Sequence, residues 1–142
     1  MPLSPQRRAE LLSACPLFRG IGPDGVGSLA GRATEVDFPA GRVIARQGEI
    51  GTGFFVVVAG SVRVVRDGTV LAHLGPGEFF GELSVLDGQP RNAMVSAETA
   101  TTCLALASWD FEAALLANPA LSLAILRGVA TRLREATEAI RH

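Results

Sequence analysis

GPGEFFGELSVLDGQPRNAMVSA, residues 75–97, does not read as a plain connection between two strands. A turn (Gly75-Pro76-Gly77) leads into a short strand over Glu78–Phe80. Gly81 opens a very short helical segment, Glu82 to Leu86. Asp87-Gly88 turns the chain back, Pro90 stiffens the approach to Arg91, and a further strand follows. A glycine at a helix start lets the backbone come close to a ligand. The first amides of that segment, from Glu82 to Ser84, have no acceptor within the helix and form an anion site together with the local dipole. Arg91 is the one guanidinium near this loop in sequence, a fixed fork suited to two phosphate oxygens. Glu82 is out of place beside a bare anion. It fits a ligand that also offers a hydroxyl, such as a ribose 2′-OH. Phosphate plus ribose in one short stretch points to a nucleotide, and a single arginine suits a monoanionic phosphate better than a triphosphate with Mg²⁺. Taken singly, an Arg after Pro is ordinarily a solvated charge, and a Glu next to Gly is ordinarily a helix N-terminal acid. The combination at this spacing carries the reading.

Around this stretch the chain alternates with period two. Strands are predicted over Thr34–Phe38, Val43–Arg46, Phe54–Ala59, Ser61–Arg66, Val70–Leu74, Ala93–Glu98 and Cys103–Ala107. Gly and Pro turns separate them, and Asp67-Gly68 suits a two-residue hairpin because both positions tolerate positive φ. Helical spacing brackets the strands. Residues 5–14 open on Pro5, and Asp24 to Ala33 gives a weaker helix diluted by three glycines. Ser108 reads as the N-cap of WDFEAALLA, and Asn118-Pro119 as cap and first residue of a long helix to Arg141. Leu126, Val129, Leu133, Ala136 and Ile140 follow a 3, 4, 3, 4 spacing, a heptad seam suited to a homodimer through this helix. Leu121 and Ile125 form a second stripe facing the sheet. The expected architecture is mainly β: an eight-stranded antiparallel β-roll of jelly-roll type with N-terminal short helices and a long C-terminal helix. Residues 1–142 form a single domain: helices over 1–33, the roll over 34–107 with its cassette at 80–95, and helices over 108–142.

The length, 142 residues, suits that single domain. A chain with 48% hydrophobic and 19% charged residues is not disordered. The net charge of −1 lacks the basic footprint of a nucleic-acid-binding domain, and the mixed Arg and Glu along the last helix reads as a solvated face, so no direct DNA binding is expected. Tyr is absent and all 13 basic residues are Arg, which removes Lys and Tyr chemistry. The two cysteines, Cys15 and Cys103, sit in apolar surroundings and read as buried reduced thiols, with no metal site. The longest apolar run, Phe54 to Ala59, is too short to span a membrane, and the start lacks an apolar signal core. A cytoplasmic protein is the expectation.

The spacing of the central stretch resembles the phosphate-binding cassette of the cyclic nucleotide-binding domain family. The family pattern is close to F-G-E-L-A-L, a variable turn, then P-R-A-A-T-V. Here it stands as Phe80-Gly81-Glu82-Leu83-Ser84-Val85, a turn, then Pro90-Arg91-Asn92-Ala93-Met94-Val95. The resemblance extends to FPAG (Phe38–Gly41), RQGE (Arg46–Glu49), GFFVVVAGSVRV (Gly53–Val64) and the closing helices, and is strongest to the sensor half of catabolite activator protein-type bacterial regulators. It implies a cyclic nucleotide ligand and no other cofactor. Arg91 would bind the exocyclic phosphate oxygen and Glu82 the ribose 2′-OH. The amides of Gly81, Leu83, Ser84 and Ala93 would line the sugar phosphate. Val64, Leu71 and Leu74 would line the base side. Thr137 would lie near the adenine, from the same chain or its dimer mate, and Arg134 is a base-capping candidate. Asn92 departs from the Ala or Ser usual for cAMP and the Thr common for cGMP. Its amide can donate to phosphate or to a syn guanine; the lack of Thr favours cAMP, with cGMP the alternative.

The regulators of that group continue into a helix-turn-helix, whereas this chain stops at His142. The expectation is a stand-alone sensor module that signals through its C-terminal helix to a partner or downstream effector. No acid–base pair beyond Glu82 suggests an enzyme. The alternative is the same fold as a haem or other metabolite sensor, or as a structural dimerisation module. His73 and His142 are the two histidines, and His73 on a strand reads as a pocket or surface residue rather than a haem ligand.

Overall fold

The structure, a computed structural model, describes residues 3–15, 18, 20–51, 53–81 and 88–140, with side chains described up to residue 138. Two short helices come first, α1 (Pro5–Ser13) and α2 (Pro23–Arg32). The Ser4 hydroxyl caps α1 by accepting from the Arg7 amide at 3.1 Å. Eight strands follow: β1 (Thr34–Phe38), β2 (Val43–Ala45), β3 (Gly53–Ala59), β4 (Val62–Arg66), β5 (Thr69–Leu74), β6 (Phe79–Phe80), β7 (Met94–Ala97) and β8 (Thr101–Ala107). The chain closes with α3 (Ser108–Ala117) and α4 (Pro119–Ile140). The antiparallel β-roll expected from the alternation is present, as two four-stranded sheets of order β1-β8-β3-β6 and β2-β7-β4-β5.

Strand β3 shows why the two sheets stack. Its alternate residues Phe54 and Val56 join Leu104 and Leu106 of β8 under the helices, in one core with Leu12, Phe18, Leu29 and Phe111. The intervening Val57, with Cys103 of β8, faces the second sheet and packs with Ala45, Val62, Phe80 and Val95. Both faces of β3 are therefore covered, which is why FFVVVA reads as an unbroken apolar run. Aromatic contacts hold this centre. Phe18 meets Phe54 edge-on at 5.5 Å, and Phe55 stacks on Phe80 at 5.0 Å.

Local chemistry sets the boundaries, with two corrections. Asp67 (φ 51°) and Gly68 (φ 79°) make the β4–β5 turn with both central residues at positive φ, as expected. The Asn118 carboxamide oxygen accepts from the Leu121 amide at 3.1 Å, so Asn118 does cap α4. Ser108, in contrast, is not the cap of α3. Ala107 occupies that position with no side-chain bond, because β8 stays paired to Gly53 through Ala107 and runs straight into the helix. Strand β8 also starts two residues earlier than expected. The Thr101 hydroxyl donates to the Ser61 carbonyl at 3.1 Å and ties that end into the roll.

The long helix divides its two stripes as its spacing predicts. Leu121 and Ile125 are buried in the helix-side core with Phe54 and Leu104. Leu126, Val129, Leu133 and Ala136 are exposed, and the Ile140 side chain lies outside the described ones. Among the described residues no single helix is long and apolar enough to cross a membrane. The α3–α4 pair has the composition but is bent by 115° at its break.

Candidate functional site

The site is built around Arg91, which is held first by its backbone. The isolated bridge Ile50–Pro90 brings the chain alongside the turn 46–50. There the Arg91 amide donates to the Glu49 carbonyl at 2.7 Å, and the Gly48 amide donates to the Arg91 carbonyl at 2.8 Å. With the main chain fixed on both sides, the half-buried side chain lies across the start of β3, where its Nη2 donates to the Gly53 carbonyl at 2.8 Å. The guanidinium fits there because of glycines. A Cβ at Gly51 would stand 2.7 Å from the Arg91 Cζ. A Cβ at Gly81 would stand 2.6 Å from the Gly53 carbonyl oxygen and 2.8 Å from Arg91 Nη1, and Gly81 also holds φ at +91°. Gly81 is thus required twice, by its backbone and by the space it leaves.

The other expected site residues fall into three groups. Ala93 is buried at the entry to β7, beside the exposed Asn92. Val64 on β4 and Leu74 on β5 are half-buried and pack against the inter-sheet core with Phe38, Ile44 and Phe55. Leu71 differs. The register passes from Val64–Ala72 to Val65–Val70, so Leu71 is the unpaired residue of a β-bulge and is 48% exposed. On α4, Arg134 is exposed and borders a recess lined by that helix alone. The Thr137 hydroxyl donates to the Leu133 carbonyl at 2.9 Å on its own helix. The described contacts of these two residues keep them on α4 rather than at Arg91. Glu82, Leu83 and Ser84, the expected ribose and phosphate contacts, lie outside the described residues.

A cavity of about 430 Å³ adjoins Arg91 on the side of β2 and the start of α3, bordered by Arg46, Ile50, Gly51, Gly53 and Trp109 among others. None of Val64, Leu71 or Leu74 lines it, so it is a different recess from the expected base side.

Residues 35–118 match the family model described as the cyclic nucleotide-binding domain. The chain belongs to the cyclic nucleotide-binding domain family. It is 40% identical over 116 residues to a cyclic nucleotide-gated potassium channel of Mesorhizobium japonicum, covering 82% of this chain and 32% of the channel. It is 30% identical over 130 residues to a CRP-like cAMP-activated global transcriptional regulator of Mycobacterium tuberculosis, covering 88% of this chain and 58% of the regulator. The crystal structure of the N-terminal domain of a transcriptional regulator from Streptomyces coelicolor superposes with a TM-score of 0.83 at 35% identity, over 91% of this chain and 96% of that one. The chain thus spans about a third of the channel and somewhat over half of the regulator.

As a cyclic nucleotide-binding domain, the chain offers the Arg91 guanidinium, pre-oriented by the Gly53 carbonyl and close to the glycine that opens the cassette. Such a fork can meet two anionic oxygens through charge-assisted bonds without first being ordered. Gly51 is not singled out from sequence, and Gly53 enters there only as the first residue of GFFVVVAGSVRV. The role of Gly53 depends on a contact across 38 residues to Arg91, and that of Gly51 on the room it leaves for the same side chain. Neither cysteine is in a disulfide, both are fully buried, and burial pushes the Cys103 thiol up to about 11. His73 is exposed on β5 with Nδ1 2.8 Å from Glu98 Oε1. Among the described residues no cluster of three His, Cys, Asp or Glu side chains could hold a metal.

Proposed function

We propose that this chain is a sensor module for cAMP, with cGMP the alternative ligand. The observation that carries the reading is the placement of Arg91: held by its backbone, oriented by the Gly53 carbonyl and given room by Gly51 and Gly81. In this reading the cyclic phosphate sits on Arg91 and on the amides of Gly81, Leu83, Ser84 and Ala93. Glu82 takes the ribose 2′-OH. The base lies toward Val64, Leu71 and Leu74, with Asn92 beside the phosphate. The name of the M. tuberculosis regulator, which is cAMP-activated, supports cAMP over cGMP. The exposed stripe Leu126, Val129 and Leu133 supports pairing of α4 with a second copy. That arrangement would let Thr137 and Arg134 approach the base across the dimer and let ligand binding move the helix. Regulation of a partner, not catalysis, is the proposed role.

The test is a thermal melt with and without ligand. Saturation at about 100 times Kd adds about 2.7 kcal/mol to the folded state, a rise in Tm of several degrees. Arg91→Ala should abolish that rise. An unchanged melt at millimolar cAMP and cGMP overturns the reading. For the dimer, Leu133→Glu should convert the chain to a monomer in sizing; a wild-type chain that already runs as a monomer overturns that part.

A further inference from the structure

Gln47 ties the two walls of the site together. Its Nε2 donates to Asp67 Oδ1 at 2.8 Å, and its Oε1 accepts from the Asp67 amide at 3.1 Å. Asp67 is the first central residue of the β4–β5 turn and, among the described residues, the sole non-glycine residue with positive φ. The residues after Gln47 hold the other wall. Gly48 and Glu49 exchange both backbone hydrogen bonds with Arg91, and Ile50 bridges to Pro90. One short turn therefore grips Arg91 through its backbone and the hairpin tip through a single side chain.

We propose that Gln47 is a positioning residue that sets the span between the Arg91 anchor and the β4–β5 hairpin, which carries Val64, Leu71 and Leu74. The inference rests on the nucleotide reading given above and adds to it a residue that touches no ligand. Strand β5 is the last in its sheet, and residues 66–71 are all exposed. A hairpin so placed opens locally at low cost. The two-point clamp restricts that opening before ligand arrives, which lowers the ordering cost of binding. The chemistry selects glutamine. The carboxamide donates and accepts side by side, as the Asp67 carboxylate and amide require. A glutamate there would face the Asp67 carboxylate with like charge, and alanine would make neither bond.

The test is a double-mutant cycle on the full chain with two readouts: calorimetric titration with cAMP, and native amide exchange at Asp67 and Arg91. Gln47 and Asp67 are both exposed, so the variants should fold, which a melt checks. Asp67→Asn keeps an acceptor for Gln47 and tolerates positive φ, so its Kd should stay within about twofold of wild type. Gln47→Glu should raise Kd about tenfold and speed exchange at Asp67 and Arg91 together. Combining Gln47→Glu with Asp67→Asn lets the new amide donate to the new carboxylate. It should bring Kd back to within about threefold of wild type and restore both protections. The proposal is overturned if Gln47→Glu leaves Kd and Arg91 exchange unchanged, or if the paired change restores neither. If wild-type chain gives no cAMP heat, the nucleotide reading fails by itself. Exchange then decides the latch: Asp67 exchanging faster with Arg91 unaffected overturns it.

Discussion

The two sheets are built from the same number of strands and differ in what covers them. The β1-β8-β3-β6 sheet is packed on one side by four helices and on the other by its partner sheet. Phe54, Val56, Val57, Cys103, Leu104 and Leu106 are all essentially inaccessible. In the β2-β7-β4-β5 sheet burial falls away toward the edge: Val95, Ser96 and Ala97 of β7 are buried, whereas no residue of β5 is. Apart from the buried Val62, its last strands carry half-buried and exposed residues and end in an edge held at its tip by Gln47. The difference teaches a division of labour. Burial on two faces supplies stability in the first sheet, while the exposed β5 edge of the second opens locally at lower cost.

Substitutions test this division, starting with the largest effect. Phe54→Ala, at the centre of the doubly covered sheet, should cost about 3–5 kcal/mol of unfolding free energy in urea titration. A loss under 1 kcal/mol would mean that the helix side is not the stabilising side. Arg91→Ala should do the reverse. It should raise the Kd for cAMP at least about a hundredfold by removing charge-assisted bonds, yet change stability by no more than about 1 kcal/mol. If stability falls as far as for Phe54→Ala, Arg91 belongs to the core and the division fails.

A smaller effect comes from Cys103, between the sheets. Its folded thiol is raised to about 11 from an ordinary 9.0 by burial. The unfolded chain therefore loses this proton first, and the stability it confers is complete below pH 9 and lost as pH rises toward 11. The urea midpoint should fall over that window in wild type and fall less in Cys103→Ala. Equal slopes in the two proteins would show that the thiol is not sealed between the sheets. Smallest is Leu71→Ala on the bulge, expected to change stability by less than about 0.5 kcal/mol. A larger loss would show that the edge strand does carry core packing.

Much of this organisation is legible in the residues. The alternation along Phe54–Ala59 and Cys103–Ala107 located the central strands, and Asp67-Gly68 located the hairpin turn. Asn118 before Pro119 located the break between the last helices. Each of these signals is local: a side-chain period, a turn dipeptide, a cap followed by proline. The cassette spacing singled out Arg91 and Gly81 for the same reason, since both lie in one short stretch. Ser108 misled because its side chain favours a cap, whereas the last strand residue, Ala107, paired to Gly53, is itself the cap and Ser108 already belongs to the helix.

The sequence by itself determined the order and type of the elements and the apolar stripes of the long helix, and it singled out the arginine of the candidate site. Tertiary structure alone decided how that arginine is held. Gly51 and Gly81 leave the space around its guanidinium, the Gly53 carbonyl orients it, and Glu49 and Gly48 fix its backbone. Register placed Leu71 in a bulge, and hairpin geometry brought Asp67 to Gln47. The physical reason is range. Periodicity and turn chemistry act over a few residues and can be read along the chain. The contacts that orient Arg91 join segments as many as 43 positions apart through strand pairing, and they exist only once both sheets have formed.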